Sequence, residues 1–148
     1  MSAAAQAPPP VCVLAFDVGA RRTGVAVGNT LSGTARAISI VAVRETGPDW
    51  EHCDRLLREW SPQLLVVGEP LTLEGEAQAA THRARRFAQS LGSRYGLPVQ
   101  MVDERSSSQE ADRRFADARR RGEARRSHAE QLDAVAAQII LERWLGLR

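Results

Sequence analysis

The chain has 148 residues, and every one of its 20 basic side chains is an arginine, set against 7 Asp and 11 Glu for a formal net charge of +2. The absence of lysine excludes Schiff-base chemistry and a phosphate-cradling ammonium, and leaves planar guanidinium forks suited to carboxylate and phosphate oxygens. The 23 alanines beside 4 isoleucines fit a GC-rich coding bias as the source of that total, so the placement of the arginines says more than their number.

The length fits a single domain over residues 11–148, large enough to bury roughly two-thirds of the surface its unfolded chain exposes. No apolar run approaches the roughly 18 residues needed to cross a bilayer. Residues 1–10, rich in Ala and Pro, have neither the basic start nor the apolar centre of a secretory leader and read as a disordered tail on a cytoplasmic protein with no membrane partner. Cys12 and Cys53 lie in separate apolar settings without metal-ligand spacing, as reduced, buried thiols do.

In chain order, Val11 to Phe16 is a continuous apolar run bounded by prolines before and Asp17-Val-Gly19 after, which predicts a central buried strand. Thr23 to Val27 and Thr34 to Val43 follow after turns rich in Gly, Asn and Ser, giving an antiparallel meander. From Asp49 to Trp60 the residues Trp50, Cys53, Leu56, Leu57 and Trp60 recur at helical spacing, and Ser61-Pro62 ends the pattern. Leu64 to Val67 is a fourth strand. A second helix is expected from about Glu76 to Leu91, with Ala77, Ala80, Ala84, Phe87 and Leu91 on one stripe and Gly92 closing it, and Pro98 to Val102 is a fifth strand.

Ser107-Ser-Gln-Glu110 is a capping box that starts a third helix carrying Ala111, Phe115 and Ala118 inward. After it, Leu132, Val135, Ala136, Ile139, Ile140 and Trp144 define a last amphipathic helix. The order β-β-β-α-β-α-β-α-α, with right-handed crossovers to strands four and five, predicts an α/β fold: a mixed five-stranded sheet with helices on both faces. That order is similar to the arrangement of ribonuclease H-like domains.

The charge is unevenly spread. Residues 83–126 hold 12 Arg and 6 acids, for +6, whereas the remainder holds 8 Arg and 12 acids, for −4. The densest stretch, residues 119–127, carries Arg119, Arg120, Arg121, Arg125 and Arg126 around a glycine and reads as a mobile basic loop suited to a polyanion. With only 3 Phe, 3 Trp and 1 Tyr, contact with a nucleic-acid backbone fits better than base readout.

Four acids stand at the ends of apolar patterns: Asp17 after the first strand, Glu69 after the fourth, Glu104 after the fifth, and Asp133 near the start of the last helix. Alternation along a strand means that Asp103 and Glu104 do not both point into one site, so one of them turns away. Carboxylates gathered without imidazole or thiolate make a hard oxygen site for Mg²⁺ or Mn²⁺. Two such ions roughly 4 Å apart stabilise the attacking and leaving oxygens of a phosphodiester. Gly19 and Gly24 bracket a hairpin whose backbone can approach a phosphate closely, with Arg21 and Arg22 at its tip.

Four segments together resemble the YqgF/RuvX family in order and spacing: Phe16-Asp-Val-Gly with Thr23-Gly-Val-Ala-Val-Gly28, Val66 to Leu71, Val102-Asp-Glu-Arg-Ser-Ser-Ser-Gln-Glu-Ala111, and Leu132 to Leu141. The resemblance implies a ribonuclease H-like fold related to Holliday-junction resolvases and a metal-dependent nuclease acting in 5′-end maturation of the small-subunit ribosomal RNA precursor. It places the family's acids on Asp17, Glu104 and Asp133 and its hydroxyl residues on Ser107 and Ser108, with Arg105 beside them. The family usually has an aliphatic or aromatic residue at the position of Glu69, whereas related resolvases carry an acid there, so the second carboxylate is Glu104 or Glu69. The partner is then a ribosomal RNA precursor or branched or single-stranded DNA, bound by a monomer or a homodimer. Two other classes share parts of the pattern: an actin-like ATPase, whose phosphate loop is also an Asp-x-Gly hairpin but which needs two such domains, and a non-catalytic module that binds structured nucleic acid.

Overall fold

The computed structural model describes residues 11–104 and 128–146, with the side chains of the last helix described from Ala134 onward. In chain order it comprises β1 (Cys12–Val18), β2 (Arg22–Asn29), β3 (Thr34–Arg44), β4 (Gly47–Pro48), α1 (Trp50–Trp60), β5 (Leu64–Glu69), α2 (Ala79–Tyr95), β6 (Val99–Asp103) and α3 (His128–Gly146). The tail over residues 1–10, the third helix expected from Ser107 and the basic segment over residues 119–127 lie outside the described residues.

The strands form one sheet in the order β4-β3-β2-β1-β5-β6. β1, β2 and β3 pair antiparallel through short turns, while β1, β5 and β6 pair parallel. The sixth strand, beyond the five expected, is the two-residue β4, which pairs with Val43 and Arg44 at the end of β3 and is too short to leave a periodic signal. α1 starts as the sequence indicates, with the Asp49 carboxylate accepting from the His52 N–H, and ends at Ser61 in the left-handed conformation.

Three boundaries differ notably from the expectation. β1 continues through Asp17 to Val18, because Asp17 pairs with Gly24 and Val18 with Thr23 across the hairpin. α2 starts at Ala79, not near Glu76, because Glu76 is engaged in a turn with Thr72, and it is closed by Gly96 at φ 65° instead of Gly92. Ala77 therefore lies before the helix, and the apolar stripe is Thr81, Ala84, Phe87 and Leu91.

Alternation along the buried strands splits the core in two. Leu14 and Phe16 of β1, Val25 of β2 and Leu65 and Val67 of β5 meet Cys53 and Leu56 of α1 and Ala84, Phe87 and Leu91 of α2. Val13 and Ala15 of β1, Ala26 of β2, Val66 of β5 and Val102 of β6 meet Ala137, Ile140, Leu141 and Trp144 of α3 on the other face. α3 is fastened at both edges: Gln138 Oε1 accepts the Ala37 N–H of β3 at 3.2 Å, and Trp144 Nε1 donates to Gln100 Oε1 of β6 at 2.8 Å. Cys53 is buried, with its thiol pushed up to about 12 mainly by that burial, whereas Cys12 is only half-buried. Among the described residues no helix is long and apolar enough to cross a membrane.

One polar group does not fit this packing. Thr23 of β2 is fully buried, and among the described residues its hydroxyl has no hydrogen-bond partner. Such a group costs about 1–3 kcal/mol when left unmet. Apart from Thr23, Thr81 and Glu104 the buried side chains described are apolar, so truncating Leu65, which is 0% exposed on the central β5, should cost about 2–5 kcal/mol, measured by urea unfolding at constant m-value.

Candidate active site

The parallel strands β1, β5 and β6 end side by side, and alternation decides which of their terminal residues share a face. On β1, Val13 and Ala15 face α3, so Asp17 continues that row. On β6, Val102 faces α3, and Glu104, two residues on, does the same. Between them on β5 the α3-facing position is Gly68, which pairs with Val102. A Cβ there would stand 2.8 Å from both Cδ and Oε2 of Glu104 and 2.5 Å from Cδ1 of Ile140. Gly68 therefore makes the notch into which the Glu104 carboxyl fits.

Glu104 is only 8% exposed, and its backbone N–H is held by the carbonyl of Glu69 at 3.2 Å. Its carboxyl is hydrogen-bonded to that of Asp17. Burial first, and then the Asp17 charge and this hydrogen bond, push Glu104 far above the usual carboxylate range, while the guanidinium of Arg143 pulls the other way. The pair therefore keeps a proton to higher pH than two separate carboxylates would. Arg143 is in turn anchored, donating from Nη1 to the Asp103 carbonyl at 2.8 Å.

Glu69 and Asp103 pair with each other and continue the rows that face α1 and α2. The Glu69 carboxylate accepts from Nε of Arg85, on α2, at 2.7 Å. The structure thus joins Asp17 to Glu104 and sets Glu69 on the opposite side of the sheet. Of the neighbouring acids Asp103 and Glu104, it is Asp103 that turns away. Asp133 lies in the second turn of α3, four residues before Ala137 and seven before Ile140, both of which pack on the Asp17 face. Arg21 is exposed at the β1–β2 turn, its carbonyl accepting from Val43 N–H at 2.8 Å, and Arg22 opens β2. Gly19 permits this tight turn, since a Cβ there would strike the carbonyl oxygen of Arg22. Arg105, Ser107, Ser108, Arg119, Arg120, Arg121, Arg125 and Arg126 lie outside the described residues.

Among the described residues no three His, Cys, Asp or Glu side chains cluster as a metal site. The donor chemistry fits a hard divalent cation nonetheless: two adjoining carboxyl groups, oxygen only, one of them pushed toward its protonated form by burial and by the charge of the other. Sequence reasoning passed over Gly68 and Arg143. A glycine inside the run Val66-Val-Gly-Glu69 marks a close approach, but nothing local says that a carboxyl group makes it.

Residues 11–146 match the profile of a family described as "RuvX: Holliday junction resolvase". The chain belongs to the RuvX family. Among its relatives, a protein of Xanthomonas oryzae pv. oryzae (strain PXO99A) is 55% identical over 134 residues, covering 90% of this chain and 86% of its own length. One from Xanthomonas campestris pv. campestris (strain B100) is 54% identical over 138 residues, covering 93% and 89%. Both carry the name "Putative pre-16S rRNA nuclease". Among solved structures, the fowlpox virus resolvase in complex with Holliday junction DNA superposes with a TM-score of 0.57 at 12% identity, covering 92% of this chain and 97% of that one. Thermus thermophilus RuvC superposes at 0.50 with 18% identity, covering 93% and 95%. These likenesses establish the ribonuclease H-like fold shared by RuvX and the resolvases.

The raised Glu104 has a signed consequence for stability. Between its ordinary value of 4.5 and its raised folded-state value, the folded protein binds a proton that the unfolded chain does not. Stability of the metal-free protein should therefore fall as pH rises above about 5, and Glu104→Gln should remove that slope, as read by urea unfolding in chelator across pH 5 to 9. Gly68→Ala should cost about 1–3 kcal/mol by crowding Glu104 and Ile140, measured the same way at pH 6.

Proposed function

We propose that this RuvX protein is a divalent-metal-dependent nuclease that hydrolyses phosphodiester bonds in the 5′-end maturation of pre-16S ribosomal RNA in the bacterial cytoplasm. The observation that carries the reading is the Asp17–Glu104 pair, two hydrogen-bonded carboxyl groups at the ends of β1 and β6, one of them buried in a notch built for it. The family and the names of its relatives supply the reaction class and the RNA, and the oxygen-only donor set supports Mg²⁺ or Mn²⁺.

In this reading Asp17 and Glu104 hold the cations together with Asp133. Bound cations supply Lewis-acid polarisation of the phosphate and neutralise charge developing on the attacking and leaving oxygens. Gly68 keeps the Glu104 carboxyl seated, the Glu69 carbonyl fixes its backbone, and Arg143 adds fixed positive charge beside it. Asp17, in the next-to-last pair of β1 before the turn, lies beside the hairpin that carries Arg21 and Arg22, whose guanidinium groups suit the phosphates flanking the cut. Glu69 belongs to the Arg85 ion pair in this assignment and not to the reacting centre. Arg105 and the arginines over residues 119–126 hold the strand by its backbone, and Ser107 and Ser108 lie beside the acid motif as further contacts.

Asp17→Asn and Glu104→Gln should each reduce cleavage of a precursor-rRNA substrate to background in Mg²⁺ or Mn²⁺ while leaving binding nearly unchanged. Glu69→Gln should retain cleavage; its loss with the fold intact would return Glu69 to the reacting centre. Cleavage by clean Asp17→Asn protein would overturn the nuclease assignment. A parallel panel of Holliday junction and single-stranded DNA tests the RNA preference directly. Replacing Arg125 and Arg126 by Ala should lower the slope of log affinity against log salt by up to about 2, and an unchanged slope would remove them from the interface.

A further inference from the structure

A cleft of about 550 Å³ lies on the sheet face opposite Asp17 and Glu104, between the β1–β2 hairpin, the β3–β4 turn and α2. Its volume falls in the range of small-molecule sites, roughly 300–1,000 Å³. Arg83, Arg86, Phe87 and Ser90 line it at positions 0, 3, 4 and 7 of one α2 stripe, so both guanidinium groups reach the same side. Arg83 is half-buried and Arg86 exposed, and among the described residues neither takes part in an ion pair. The nearby Arg44 is engaged with Asp49 at 3.5 Å, and Glu45 on the turn is the opposing charge. Val18, Trp50 and Phe87 give an apolar wall.

Thr23 lies at the base of this cleft. Its hydroxyl is buried without a partner, on the same face of β2 as Val25 and Val27, and it is a lining residue. A closed apolar core would leave no reason for a hydroxyl there, whereas a ligand with a polar atom at depth would meet it. From the two free guanidinium groups above an apolar wall and an unmet hydroxyl below, we infer that the cleft binds a nucleotide, its phosphate on Arg83 and Arg86 and one polar atom of its sugar or base on Thr23 Oγ1. Two sources share that chemistry: a free mononucleotide, or a nucleotide of a strand that rounds the β1–β2 hairpin from the Asp17 face. The second source rests on the nuclease reading, since residues 18–20 of the hairpin rim the cleft while Asp17 faces the other way.

The test uses the full chain and two probes, adenosine 5′-monophosphate and a single-stranded RNA dodecamer, followed by calorimetry. The protein carries Asp17→Asn to prevent cleavage. Arg83→Ala with Arg86→Ala should weaken binding of at least one probe by about tenfold or more. Thr23→Val, which keeps the shape and removes the unmet hydroxyl, should weaken that probe severalfold while raising the Tm of the ligand-free protein, a pair of opposite changes that a merely structural threonine would not produce. Loss on the mononucleotide identifies a free-nucleotide site; loss on the dodecamer alone identifies a strand subsite. Unchanged affinity of both probes in the arginine variant overturns the inference, as does Thr23→Val binding like the parent. Wild-type protein that cleaves RNA but shows either null leaves the nuclease reading standing, and failure of cleavage in wild type with the cleft intact does the reverse.

Discussion

Side chains alternate across a strand, and in β1, β5 and β6 this alternation assigns every residue at the strand ends to one face of the sheet or the other. Because these three strands are parallel and in register, their odd and even positions line up as continuous rows. One row runs from Val13 and Ala15 to Asp17, through Gly68, to Val102 and Glu104, under α3. The adjacent row runs through Phe16 and Val67 to Glu69 and Asp103, under α1 and α2. A slip of one residue in any strand would exchange the acid that meets Asp17.

That constraint explains why the site sits where it does energetically. The strands are buried on both faces, so their register is held by two apolar cores, and the acids at their ends inherit a position set by packing. Glu104 is held close to Asp17 at a depth where burial and the neighbouring carboxylate both favour its protonated form. The same division of faces puts the hydroxyl of Thr23 and the guanidinium groups of Arg83 and Arg86 on the far side, within reach of the hairpin that both faces share.

Much of this was legible in the residues. The continuous apolar runs identify the buried strands, the helical stripes from Trp50 to Trp60 and from Ala77 to Leu91 identify two of the helices, the second with its start placed too early, and the four motifs identify the family and bring Asp17 and Glu104 forward. The errors share a cause. The apolar run of β1 stops at Phe16, yet a strand continues through an acid when its backbone still pairs, as Asp17 does with Gly24. Gly92 reads as a helix stop from its residue type alone, but the glycine whose backbone adopts positive φ at the end of α2 is Gly96. β4 has two residues and no period to detect.

The residues alone dictate the alternation of strands and helices over most of the described chain and the oxygen-only character of the candidate site, since these depend on composition and local pattern. They leave Glu69 and Glu104 as equals, because both follow an apolar strand and carry the same functional group. Only the tertiary structure separated them, by the register of β5 against β6 and the parity of each chain end, which gave one acid Arg85 as a partner and the other Asp17. The same long-range geometry turned Gly68 into the seat of a carboxyl group and left Thr23 unmet at the base of a basic cleft. Neither follows from local sequence, because the atoms concerned come from segments that meet only when the sheet is assembled.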